Sequence, residues 1–154
     1  MRFVMEVVLW TFVGIGSVAA QAASPDDAVI DTLLSQSAIT WDNAAWLVGR
    51  SVGTFDETTT PAQAAQKASE AGWGPKDLAP TTAIDLATYS QLLVKALDIP
   101  TGLIYKVFPN GRYAMRELIF RRVLTGSARP DAPVSGDRAM YFLQNAQTWK
   151  GAHP

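Results

Sequence analysis

The sequence predicts an all-α fold: three helix–loop–helix repeats gathered into a pseudo-threefold bundle. Three observations carry this expectation. The β-branched residues Ile39, Ile84 and Val134 stand 45 and 50 residues apart, and each precedes a residue suited to capping a helix, Thr40, Asp85 or Ser135. Five, eight and nine residues after each lie Ala44, Leu47 and Val48; Tyr89, Leu92 and Leu93; and Ala139, Phe142 and Leu143. Offsets of three and four from the first of these define one helical face, and the long interval is that of a structural repeat.

Taken in order, residues 1–22 read as an export signal. Arg2 precedes the apolar run Val7 to Val18, and the small-residue stretch Ala19-Ala20-Gln21-Ala22 follows as a cleavage site. The repeat domain then covers residues 23–147. Its first front helix is Asp26 to Ser37, and the first capped helix is Ile39 to Gly49. The polar stretch Thr54 to Thr60 turns the chain into the alanine-rich segment Pro61 to Gly72, which has proline at its start and glycine at its end. The second capped helix is Ile84 to Lys95. Residues 100–111 form a longer linker, whose β-prone run predicts a short extended segment near 103–108 before the Pro109-Asn110-Gly111 turn. A helix from Arg112 to Gly126 and a third capped helix from Val134 to Asn145 complete the set. Each front helix is paired with the capped helix that follows it. Residues 148–154 read as a flexible tail.

Composition bounds the chemistry. Apolar residues make up 48% of the 154 and the net charge is -1. That is enough apolar material for a core, and no global field attracts nucleic acid. Cysteine is absent, which excludes disulfides and thiolate chemistry. The lone histidine, His153, stands beside the C-terminus and leaves no Ser-His-Asp triad or multi-histidine metal site. No phosphate loop or nucleotide fingerprint occurs. The expectation is therefore no catalytic residue, no metal and no cofactor.

The ordered segments resemble the S-layer homology repeat. The resemblance rests on Leu78-Ala79-Pro80 with Pro80 four residues before Ile84, on Gly126, Pro130 and Pro133, and on Val134-Ser135. It spans Asp26 to about Gln147. It implies an envelope domain that holds cell-wall polysaccharide in grooves between repeats. The chain departs from that pattern where it matters: the family's motif arginine falls on Trp41, Leu86 and Gly136, and its glutamate on Asn43, Thr88 and Arg138. A carboxylate-bearing sugar needs a cation for charge-assisted hydrogen bonding.

Candidate ligand-binding residues are Trp41, Trp73, Lys106, Arg112, Arg116, Arg129 and Arg138, with Thr40, Asp85 and Ser135 as structural caps. The function expected is an exported, non-catalytic envelope domain, in the periplasm or at the cell surface, for attachment or scaffolding. Its partner is a cell-wall polysaccharide, peptidoglycan or an envelope protein, with no membrane span after signal cleavage. The alternative is a protein-interaction subunit without glycan binding. A third reading is a carboxylate-based envelope glycan hydrolase, which requires two carboxylates in one cleft.

Overall fold

The computed structural model describes residues 25–154; the expected export signal lies outside them. The described residues are all-α. Seven helices follow one another: α1 (Pro25–Ser35), α2 (Trp41–Ser51), α3 (Pro61–Glu70), α4 (Leu86–Ala96), α5 (Leu103–Val107), α6 (Gly111–Phe120) and α7 (Gly136–Ala152). None of these is long and apolar enough to cross a membrane.

The three capped helices become α2, α4 and α7, which touch one another at the centre. Every residue of the expected stripe is buried, from Ala44, Leu47 and Val48 to Ala139, Phe142 and Leu143. The flanking helices pair differently from expectation. Helix α3 packs chiefly on α2, α6 on α4, and α1 on α7, so each front helix lies against the capped helix before it and the last closes on the first. The α2–α3 loop, residues 52–60, is shorter than the α3–α4 connection, residues 71–85, which favours α3 on α2; connection length does not account for α1, which packs on α7 although only residues 36–40 separate it from α2.

Backbone hydrogen bonds run from each capped segment to the next. Ile39 N–H donates to Val134 O (2.7 Å) and Ile84 N–H to Ile39 O (3.0 Å). The first-turn amides of α2, on Trp41 and Asp42, donate to Thr82 O and Pro80 O; those of α4, on Leu86 and Ala87, donate to Ala132 O and Pro130 O. Gly136, first in α7, donates to Gln36 O and returns the chain to its start. The first amides of a helix have no partner within it. For α2 and α4 the proline-bearing loop of the following segment supplies acceptors; for α7 Gln36, just after α1, supplies one. Gly136 also allows the closest approach, because a β-carbon there would collide with the carbonyl oxygen of Leu33.

Thr40, Asp85 and Ser135 all occupy the N-cap, but only Asp85 caps through its side chain, accepting from Thr88 N–H at 2.8 Å. The Thr40 hydroxyl instead donates to Asp42, and Ser135 bonds Asp137. Each of the three helices thus has one carboxylate at its positive end, where the dipole favours it.

Three other boundaries need correction. The segment 103–108 is helical, not extended: Phe108 N–H donates to Ile104 O at 2.9 Å. A strand needs a partner for its backbone groups, and among the described residues only two isolated bridges exist, neither near this segment. Helix α6 stops at Phe120 rather than reaching Gly126. It ends in a Schellman motif, with Arg122 N–H to Ile119 O and Val123 N–H to Leu118 O, and Arg122 takes the left-handed conformation at φ 59°. Residues 148–152, expected as tail, are the last turn of α7. Arg121 lies 4.7 Å over the Trp149 ring, and Lys150 Nζ donates to Asp98 O, so the turn has partners that hold it.

Candidate functional site

The most exposed apolar surface lies where α4 hands over to α6. Pro100 ends the preceding turn, Gly102 caps α5, and the helix that follows has only five residues. One side chain of α5, Tyr105, is buried; Lys95 Nζ lies 5.8 Å over its ring. So short a helix cannot turn the rest of its apolar residues inward. Leu103 is 80% exposed, and Ile104, Val107 and Phe108 are more than half exposed. Phe120, at the end of α6, is 83% exposed.

Helix α6 holds this segment in place. Its stripe Ala114, Met115 and Leu118 is buried against α4. On its outer side Glu117 accepts from Gly102 N–H at 3.0 Å, and Arg121, 3.6 Å from Glu117, donates to Pro100 O. Glu117 of α6 and its C-cap Arg121, four residues apart, thereby hold Pro100 and Gly102 in the loop that launches α5. Between α5 and α6 lies an open groove of about 470 Å³, lined by Ile104, Tyr105, Tyr113, Arg116 and Phe120 among others. The Phe108 and Tyr113 rings meet at 6.2 Å and tie α5 to the start of α6. In the groove walls, Tyr105 Oη and Arg121 Nε have no hydrogen-bond partner, but both are closed to solvent. Scattered apolar residues on a surface need no explanation; here Ile104 and Phe120 of the exposed set share one groove, which makes it a candidate binding surface.

The expected site residues divide into three groups. Trp41 and Trp73 are withdrawn as ligand platforms. Trp41 is wholly buried, with its indole against Gly74, and Trp73 is buried and stacked on Phe55 at 5.5 Å. A large aromatic contributes most by filling a core. Arg129 and Arg138 belong to the loop before α7 and the first turn of α7. Arg129 pairs with Asp131 at 2.8 Å, and Arg138 donates to Ser127 O and covers the Phe142 ring. Lys106, Arg112 and Arg116 are exposed on α5 and α6, and Arg116 reaches the groove. The apolar residues themselves were missed. The signal was present: with a stripe at Ala114, Met115 and Leu118, Phe120 falls off the buried face.

Several carboxylates are engaged by neighbouring hydroxyls, amides or cations. Thr58 and Thr59 donate to Asp56 and hold its pKa below the usual value. Hydrogen bonds from Arg129 lower Asp131, and one from Ser135 lowers Asp137. A general acid needs the opposite displacement. Among the described residues no three His, Cys, Asp or Glu side chains converge as metal ligands would.

No protein family, no curated protein and no solved structure matches this chain.

Proposed function

We propose that the chain is a non-catalytic docking subunit of an envelope assembly, built as three helical repeats of the S-layer homology type, and that it holds a protein on the α5 face. The carrying observation is the exposure of Leu103, Ile104, Val107, Phe108 and Phe120 on α5 and at the end of α6, with Ile104 and Phe120 lining one groove. Covering a side chain of this size is worth roughly 1.5–3 kcal/mol before the costs of association. The hydrogen bonds that pass from each capped segment to the next support the repeat reading. Export through residues 1–22 is part of the same proposal.

Glycan binding between repeats is the second reading, and the burial of Trp41, Leu86 and Gly136 argues against it. Where the polysaccharide-binding repeat that the chain resembles has its motif arginine, this chain has interior residues. Co-sedimentation of the full chain with purified cell-wall sacculi separates the two. The docking proposal expects the chain to stay in the supernatant. Pelleting that is lost when Lys106, Arg112, Arg116, Arg129 and Arg138 are changed to alanine would establish a glycan anchor instead.

A further inference from the structure

The apolar face lies in the most basic stretch of the chain. Residues 99–122 hold five cations, Lys106, Arg112, Arg116, Arg121 and Arg122, and one carboxylate, Glu117. That carboxylate is already engaged by Gly102 N–H and Arg121. Residues 25–98 hold ten carboxylates and four cations, so the near-neutral total conceals a strong separation of charge. Lys106, Arg116 and Arg122 are exposed and make no ion pair among the described residues.

From this we infer that the occupant of the α5–α6 groove is an acidic amphipathic helix of a partner protein. The inference rests on the docking proposal and adds the partner's chemistry. Its apolar anchors fill the groove beside Ile104 and Phe120, and its flanking Asp and Glu face Lys106 and Arg116. A peptide added as a strand would need a free backbone edge. The groove is walled by α5, α6 and the Thr101-Gly102 loop, and among the described residues no strand borders it, so side chains must do the recognising. Helical anchors spaced three and four residues apart suit a groove of about 470 Å³, which admits a few side chains and no more. The exposed cations exclude a basic partner by repulsion and speed the encounter with an acidic one.

The test is a phage library of helical peptides panned against the immobilised full chain, with F120S and L103S variants as counter-targets. Both substitutions are at exposed positions, and circular dichroism verifies their folding. The inference expects enriched peptides rich in Asp and Glu, with apolar residues at helical spacing. The F120S variant should weaken their binding by about tenfold or more. A K106Q/R116Q variant should weaken it by a similar factor, and the loss should shrink at high salt. Enriched peptides that need Phe120 but carry no acidic excess would overturn the inference and leave the docking proposal standing. Failure to enrich any Phe120-dependent peptide would sink both. Vesicles of phosphatidylglycerol and phosphatidylcholine run in parallel, and Phe120-dependent binding to them would overturn both in favour of a lipid surface.

Discussion

The Tyr89 hydroxyl donates to the carbonyl of Ala139, 2.6 Å away, in the interior where α4 meets α7. The two residues occupy the same position in two capped segments, five beyond Ile84 and Val134. The third equivalent is Ala44. One large side chain therefore fills the space that two alanines leave, and its hydroxyl is satisfied by one of the alanines. Burial pushes the Tyr89 pKa far above the ordinary tyrosine value of 10.0.

Tyr89→Phe should lower unfolding free energy by roughly 1–2 kcal/mol, measured by urea denaturation with an unchanged m-value. The pH dependence has a definite sign. Above about pH 10 the unfolded chain releases this proton while the folded chain keeps it, so stability falls as pH rises. The fall should be shallower in Tyr89→Phe. Identical alkaline slopes in the two proteins would refute the assignment.

Gly136→Ala should cost about 1–3 kcal/mol, because the added carbon meets the Leu33 carbonyl and pushes α1 away from α7. Trp41→Arg and Leu86→Arg place a cation where no surface is exposed, and neither variant should yield a folded protein. A stable, polysaccharide-binding Trp41→Arg protein would contradict the burial argument.

Asp85→Ala should cost about 1 kcal/mol, since it removes the acceptor of Thr88 N–H. Thr40→Ala and Ser135→Ala should cost less, because neither side chain accepts an amide. Thermal melts of the three variants give the order directly. From sequence the three residues look equivalent. Their difference depends on the third residue after each β-branched position: Asp42 and Asp137 capture the hydroxyls, and Ala87 cannot.

Four helices end in one motif, with the left-handed residue at Gly53, Gly72, Asp98 and Arg122. Glycine accepts this conformation without the clash that a β-carbon brings. Arg122→Gly should therefore raise stability by roughly 0.5–1 kcal/mol, read as a higher melting temperature. No gain, or a loss, would mean that the arginine side chain has a compensating role.

The buried stripe was legible because helical periodicity repeats in three segments, and each repetition strengthens the others. The stop of α6 was not, because Arg122 adopts a conformation that sequence assigns to glycine, and Gly126 offered a false end point. Helix α5 was misread because Ile104-Tyr105-Lys106-Val107-Phe108 has strand propensity, and propensity yields when no strand is available to pair with. The pairing of α1 with α7 is a long-range relation that no local pattern encodes. The Trp41 and Trp73 candidates failed for a general reason: an aromatic side chain suits a sugar platform and a core equally well, and only burial separates the two.

If a protein docks on the α5 face, site-specific photo-cross-linking in the native cell captures it there. A photoreactive residue replaces Phe120 in one variant and Gln66, on the polar groove beside α3, in another. Discrete protein adducts are expected from position 120, lost in the Leu103→Ser background, and none from position 66. Equal labelling from both positions, or no protein adduct from position 120, would contradict it.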